Sequence, residues 1–322
     1  MHAVRVSNPG GPEVMEWAEL PDPIPRDGEL LVAVEAAGVN FIDVYRRSGL
    51  YPVPMPSIPG MEAAGRVLAV GPGVQGFSPG DRVATAQANG TYAELAVVPA
   101  RYAVPVPDGV TSEQAAGVLL QGLTAHYLVT DTFPLRAGQR CVVHAAAGGV
   151  GLLLVQLAHR IGAEVIGTVG SPAKADLARK AGADHIIVTS EQEWGAAVEA
   201  VAGPNAVDVV YDGVGRDTFA RDLDVLRRRG YLVSFGNASG PVDPIAPLTL
   251  SQHGSLFLTR PALAHYVATV DELRARAAAV LDLVANGTLQ VHLGARLPIR
   301  NAAEAHRLLE SRRTSGKVLL VG

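Results

Sequence analysis

Cysteine is almost missing from this chain, with Cys141 the single one in 322 residues. A disulfide framework and a thiolate metal cluster are thereby excluded, and a lone cysteine inside a β-branched run reads as a small core residue rather than a nucleophile. Aromatic residues are scarce as well, at 5% of the chain. The nine histidines fall at no H-x-H or H-x-x-x-H spacing, so no zinc motif forms. No G-x-S-x-G elbow offers an activated serine. No apolar run is long enough to cross a bilayer, and Met1-His2-Ala3-Val4-Arg5 lacks the basic-then-apolar layout of a signal peptide; a cytoplasmic protein with no membrane partner is expected. The net charge of −4 leaves no basic footprint for nucleic acid. Arg227, Arg228 and Arg229 precede Gly230 and read as the end of a helix, where cations complement the dipole. What these absences leave is chemistry done by a bound cofactor that the protein positions and polarises.

What is present points to such a cofactor. Arg140 to Val143 is a short β-branched run that ends in His144-Ala145-Ala146-Ala147-Gly148-Gly149-Val150-Gly151, and an apolar helix from Leu152 to Ile161 follows at once. Ala146, Gly148 and Gly151 hold the three small positions of the G-x-G-x-x-G fingerprint. Small residues let the backbone pass close to a pyrophosphate, whose charge then rests on the unpaired N–H groups of the helix. Glu164 to Val169 reads as the next strand. At its end, where an acid would hold the ribose 2′-hydroxyl of NADH, stand Val169-Gly170-Ser171. Ser171, Lys174 and, further along, Arg179 suit a 2′-phosphate, so NADPH is the expected coenzyme.

The chain before this point is a series of short strands, Ala3 to Val6, Leu30 to Ala37, Ala63 to Val70, Asp81 to Ala86 and Tyr92 to Val98, broken by Pro and Gly. The pattern predicts a compact β-rich, barrel-like domain with a short helix from Phe41 to Ser48 and a proline-laden loop from Leu50 to Gly60. After about His126 strands and helices alternate, and six strands ending at Ser255 to Thr259 match a doubly wound sheet. A helix is expected from Asp217 to Arg228. Past Pro261, two helices and two strands do not fit that sheet and are expected to return to the first domain. The expected division is 1–125, 126–262 and 263–322.

Ordered motifs run almost end to end: Gly38-Val39-Asn40-Phe41-Ile42-Asp43-Val44-Tyr45, Arg47-Ser48-Gly49-Leu50-Tyr51, Pro59-Gly60-Met61-Glu62-Ala63-Ala64-Gly65, Gln121-Gly122-Leu123-Thr124, the fingerprint, Val210-Tyr211-Asp212-Gly213-Val214-Gly215, Phe235-Gly236-Asn237 and Leu258-Thr259-Arg260-Pro261. In these the chain resembles the zinc-free quinone oxidoreductase (zeta-crystallin-like) branch of the medium-chain dehydrogenase/reductase superfamily. The resemblance implies an α/β fold, with a GroES-like β-barrel catalytic domain plus a Rossmann doubly wound parallel sheet. It implies a homodimer joined through the edge strand at Ser255 to Thr259, and NADPH-dependent reduction of quinones. Zinc-dependent relatives carry a ligating histidine where this chain has Met61, so no metal is expected. Enone or enal reduction is the nearest alternative, and a crystallin-like or RNA-binding role is a more distant one.

Carried over by position, the resemblance places Asn40, Phe41, Ile42 and Tyr45 beside the nicotinamide, Thr124 on the cofactor, and Ala147, Gly148, Gly149, Val150 and Gly151 at the pyrophosphate. Ser171 and Lys174 match 2′-phosphate contacts. Thr189 stands where many members have tyrosine, and Gly213 where many have serine. Phe235, Gly236, Asn237, Phe257 and Thr259 are expected along the nicotinamide, with Arg312 or Lys317 reaching back from the C-terminal segment. The catalytic candidates are Asn40, Tyr51 and Gln121, neutral groups able to polarise a carbonyl oxygen. Plainer roles stay open for some of these: Asn40 as a helix cap, Gln121 as a helix surface residue, and Tyr45 and Tyr51 as barrel-edge aromatics. Asp43 is expected to stabilise the start of its helix.

Overall fold

The computed structural model describes residues 1–322, which form two units, one of residues 1–123 and 267–322 and the other of residues 124–266. In the first, β1 (His2–Val6) and β2 (Met15–Glu19) make a hairpin. Then come β3 (Glu29–Val39), α1 (Phe41–Arg47), β4 (Glu62–Val70), β5 (Arg82–Thr85), β6 (Leu95–Pro99), β7 (Val104–Pro105) and α2 (Ser112–Tyr127). The second unit holds β8 (Arg140–Val143), α3 (Gly149–Ile161), β9 (Glu164–Val169), α4 (Ala175–Lys180), β10 (His185–Val188), α5 (Trp194–Ala202), β11 (Val207–Asp212), α6 (Phe219–Val225), β12 (Leu226–Ser234), α7 (Pro247–Gln252), β13 (Phe257–Thr259) and α8 (Leu263–Tyr266). The chain then adds α9 (Val270–Ala285), β14 (Leu293–Pro298), α10 (Ala302–Glu310) and β15 (Lys317–Val321) to the first unit.

The first unit is organised on β3, which pairs with β4, β6 and β15 in a sheet of order β14-β15-β3-β4-β5-β7. Its pairing with β4 shifts register between Val34 and Ala36. An irregularity of one residue moves later side chains to the opposite face. Plain alternation would put Ala37 and Val39 opposite Leu30, Val32 and Val34, and the extra residue returns them to the same face. Leu30 and Val32 enter one core with Val67, Phe77, Val83 and Val98, and Val34, Ala37 and Val39 join Val4, Tyr92, Leu297, Val318 and Leu320 in another. One strand thus serves two cores. Its C-terminal end, held between β4 and β15, delivers Asn40.

In the second unit all six strands are parallel, in the order β10-β9-β8-β11-β12-β13. The chain winds outward both ways from β8, so the crevice for a ligand lies at the carboxyl end of β8 beside β11. Strands covered on both faces need near-continuous apolar runs, and Cys141, Val142, Val143, Val165, Ile166, Val209 and Val210 are all buried.

Two elements differ from the sequence expectation. Of the sixteen-residue α2 the strand-and-turn reading holds only a helix at Gln121, without bounds, because most of it is buried and shows no polar stripe, while Gly117 and Gly122 interrupt it where Leu293 and Val280 press against it. The helix expected to Arg228 stops at Val225. Arg227 to Arg229 instead belong to β12, where Leu226 pairs with Val207 and the Arg227 guanidinium donates to Asp208 Oδ1 on the adjoining strand at 2.6 Å. Tertiary pairing overrides the local helical preference of this stretch.

A buried polar chain fixes α1 within the first unit. Asp43 Oδ2 accepts from the Asn40 N–H at 3.0 Å and from the Tyr92 hydroxyl at 3.0 Å. His306 faces Tyr92 through Nε2 at 3.3 Å and Arg47 through Nδ1 at 3.1 Å, and Arg47 is bidentate on Glu310. Arg47 can only donate, so His306 Nδ1 accepts and Nε2–H donates to Tyr92. Burial holds the Asp43 carboxyl up at about 6 against the donors around it, and burial together with Arg47 pushes His306 down to about 3. Folded Asp43 keeps a proton that the unfolded chain has released above about 4, so its contribution favours folding as pH falls; His306 acts oppositely, refusing a proton that the unfolded chain takes up below about 6.5. Asp43→Asn removes the first effect alone. Denaturant titrations between pH 4 and 6 should therefore show stability falling with acid more steeply than in the parent, by up to about 1.4 kcal/mol per pH unit. Equal slopes would show that Asp43 does not hold its proton.

Candidate active site

The candidate residues fall into two groups, one on each unit. On the second, the turn after β8 is closed by the Gly148 N–H donating to the Ala145 carbonyl at 2.8 Å and the Ala146 N–H to Thr168 at 2.9 Å. Ala145 is left-handed, with φ of 49°. The first bond into α3 comes from the Leu152 N–H to Gly148 O, so the N–H groups of Gly149, Val150 and Gly151 have no carbonyl to meet and no side chain caps them. A Cβ on Gly151 would run into the backbone of Ala145 and Ala146; only glycine lets the helix start this close to the turn. The cradle fits a diphosphate, with free donors and the positive helix end facing one point.

Behind the turn, His144 Nε2 lies 2.7 Å from Asp222 Oδ1 and Nδ1 lies 2.9 Å from Thr168 Oγ1. Burial lowers His144 to about 4 and raises the Asp222 carboxyl above its ordinary range. The pair's role is to join β8, β9 and α6.

The end of β9 is open: a Cβ on Gly170 would meet nothing within 4 Å. Ser171 and Lys174 follow it, both half-buried, and desolvation by burial lowers the Lys174 ammonium. Arg179 lies away on the surface, paired with Asp176 at 2.6 Å. Thr189 donates its hydroxyl to Val169 O at 3.3 Å and its N–H to the same carbonyl at 2.9 Å, so it fastens β10 to the end of β9.

After β12, Phe235, Gly236 and Asn237 run against the segment after β11, with the Phe235 N–H on Asp212 O at 2.8 Å and the Ala238 N–H on Gly213 O at 3.2 Å. A Cβ on Gly213 would come within 2.9 Å of the Phe235 ring, so the ring's close approach favours glycine there. Arg260 fixes the segment, donating from Nη1 to Ser234 O at 2.8 Å and Gly236 O at 3.0 Å; sequence reasoning gave it no role. Register places Thr259 level with Val233, Tyr211 and Val143, at the carboxyl edge of the sheet. Phe257 sits two residues short of that edge and stacks on Tyr231 with ring centroids 4.5 Å apart. Its ring stays half-exposed beside that stack. Thr124 is buried on α2.

On the first unit, Asn40 ends β3 and is buried. Its Nδ2 donates to Gly38 O at 3.2 Å and Glu62 Oε2 at 2.8 Å, and its Oδ1 accepts from Lys317 Nζ at 2.7 Å and Gln121 Nε2 at 3.4 Å. All four valences of the amide are taken, so Asn40 has none left for an acceptor. Lys317, expected as an alternative to Arg312 to reach the cofactor, is only 1% exposed and spends its ammonium on Asn40 and Glu62; for Lys317 that expectation is corrected. Gln121 is half-exposed and keeps one N–H and its carbonyl oxygen uncommitted. The Tyr51 ring meets Tyr45 edge-on at 5.3 Å, its N–H bonds to Tyr45 O at 3.0 Å, and Tyr45 lies 6.0 Å from Phe41. The Tyr51 ring is 37% exposed, and its hydroxyl makes no bond within the protein. Ile42 is half-buried at the start of α1, and Arg312 is exposed after α10 in a left-handed turn, with φ of 55°.

A zinc site does not fit these residues. Met61 offers a thioether, Glu62 is closed by Lys317, Asn40 and the Leu120 N–H, and no three His, Cys, Asp or Glu side chains gather to hold an ion.

Residues 26–108 match the alcohol dehydrogenase GroES-like domain family and residues 149–287 the zinc-binding dehydrogenase family. A quinone oxidoreductase of Pseudomonas aeruginosa is 46% identical over 97% of both chains. The chain belongs to the quinone oxidoreductase branch of the medium-chain dehydrogenase/reductase superfamily. Within this superfamily, the crystal structure of Escherichia coli quinone oxidoreductase complexed with NADPH is 43% identical and covers all of both chains with a TM-score of 0.98. A 2-haloacrylate reductase from a Burkholderia species is 39% identical over 99% of this chain and 98% of its own. The GroES-like and doubly wound architecture agrees with the expectation from sequence.

Proposed function

We propose that the chain is a cytoplasmic, homodimeric NADPH:quinone oxidoreductase that works without zinc. The observation that carries this reading is the diphosphate cradle of Ala145 to Gly151 with an acid-free, open end of β9 beside Ser171 and Lys174. The N–H groups of Gly149, Val150 and Gly151 hold the diphosphate, with Ala147 and Gly148 shaping the turn, and Ser171 and Lys174 hold the 2′-phosphate. On the second unit, Phe235, Gly236, Asn237, Phe257 and Thr259 flank the nicotinamide, and Thr124 and Thr189 serve the coenzyme. When bound, NADPH supplies the hydride. Tyr51 and Gln121 of the first unit then polarise the acceptor. A conjugated carbonyl spreads the charge it gains over its ring or enolate, so a neutral donor suffices, and the Tyr51 hydroxyl and the open Gln121 N–H are such donors. Water supplies the final proton.

Steady-state oxidation of NADPH against quinones and enones side by side tests the proposal, and no turnover with any conjugated acceptor would overturn it. Tyr51→Phe is expected to lower kcat about three- to tenfold with quinones, a loss of about 1 kcal/mol for one neutral donor; unchanged kinetics would remove Tyr51 from the mechanism. Enone or haloacrylate-type reduction is the second reading, favoured by the similarity to the 2-haloacrylate reductase, and the same comparison separates the two. The dimer reading rests on β13, a short edge strand whose outer backbone groups are unpaired and whose Phe257 is 49% exposed.

A further inference from the structure

We propose that Lys317 and Glu62 form a buried brace that sets the amide of Asn40, and through it that of Gln121, in the one orientation that polarises the acceptor. This rests on the reductase reading given above. The ammonium of Lys317 contacts Glu62 Oε2 at 2.5 Å and Asn40 Oδ1 at 2.7 Å, and both charged side chains are sealed from solvent. An ammonium only donates and a carboxylate only accepts. Asn40 therefore has a single satisfied orientation, Oδ1 toward Lys317 and Nδ2 toward Glu62; a flipped amide would set its NH2 against the ammonium and its oxygen against the carboxylate. With Oδ1 fixed there, Gln121 must bring Nε2 to it, which turns its free N–H and its oxygen outward. The second carboxylate oxygen, Glu62 Oε1, accepts the Leu120 N–H at 2.7 Å. One side chain thus registers Asn40 and the turn of α2 that carries Gln121. Gly38 makes room for it, since a Cβ there would run into the Glu62 carboxylate.

A buried ion pair is a poor source of net stability, and well-packed neutral replacements often equal it. Orientation is what this pair supplies that a neutral pair would not. Lys317 and Glu62 are positioning residues: they act through Asn40 and Gln121, and the acceptor never touches them.

Lys317→Met, Glu62→Gln and the double variant test this together. Lys317→Met should lose thermal midpoint, because Glu62 is left buried and unpaired, and should lower kcat about tenfold while leaving the KM for NADPH within twofold. The double variant should recover the midpoint but keep the low kcat. Side-chain amide hydrogen exchange of Asn40 in 15N-labelled protein should be slow in the parent and fast in the double variant. Recovery of kcat along with the midpoint would reduce the pair to a packing element and overturn the proposal. A rise in the KM for NADPH at unchanged kcat would overturn it too, by putting Lys317 on the coenzyme. Should Lys317→Met fail to fold, Glu62→Gln alone carries the same kinetic and exchange expectations. If the parent reduces no conjugated acceptor, the reductase reading fails, and the Asn40 exchange rates still decide whether the brace orients the amide; unchanged exchange in the double variant sinks it.

Discussion

Gly151→Val should weaken NADPH and NADH alike by at least about a hundredfold, equivalent to about 2.7 kcal/mol. The new Cβ meets backbone, the Ala145 carbonyl group and the Ala146 Cα, and backbone cannot swing aside as a side chain does. The start of α3 must therefore back away from the turn, taking the N–H groups of Gly149, Val150 and Gly151 with it. Since charge–dipole attraction and hydrogen bonding both fall steeply over the first ångström of misplacement, the diphosphate loses its donors together. Overpacking also costs the fold about 1–3 kcal/mol, so circular dichroism must accompany calorimetry with each coenzyme. A folded variant that still binds NADPH with unchanged affinity would show that the diphosphate rests elsewhere.

Lys174→Ala should separate the coenzymes instead of weakening both. A charge-assisted hydrogen bond is worth about 1.5–3 kcal/mol, so the KM for NADPH is expected to rise about ten- to a hundredfold while that for NADH stays unchanged. Two features favour the large end. Lys174 is half-buried, and this burial, which lowers the pKa of its ammonium, leaves less hydration to give up on pairing with a phosphate. Arg179 cannot take over, because it is turned to Asp176 on the surface. Equal effects on both coenzymes would refute the phosphate assignment and leave Lys174 as a structural residue of its turn.

The parts of the molecule legible in the sequence are those built from neighbours along the chain. The fingerprint needs only a strand, a turn and a helix in succession, so Ala146, Gly148 and Gly151 reveal it by spacing. The missing acid after Val169 is equally local, and so is the alternation of strand and helix that announces a doubly wound sheet. Where the partner lies far along the chain, local pattern fails. Arg227 to Arg229 have a helix-end composition, yet β12 claims them through pairing with Val207 and Asp208. The burial of most of α2 erased the polar stripe by which a helix is usually found.

For the first unit this limit decides the chemistry. Sequence alone establishes that Asn40, Glu62, Gln121 and Lys317 exist, and offers Asn40 as a polarising donor and Lys317 as a coenzyme contact. Only the tertiary structure brings Lys317 across 277 positions to Asn40 and 255 to Glu62, filling every valence of the amide that local reading had left free. Hydrogen-bond capacity is a property of what surrounds a group in space, so a sequence can name a donor while the fold alone determines whether it still has anything to donate.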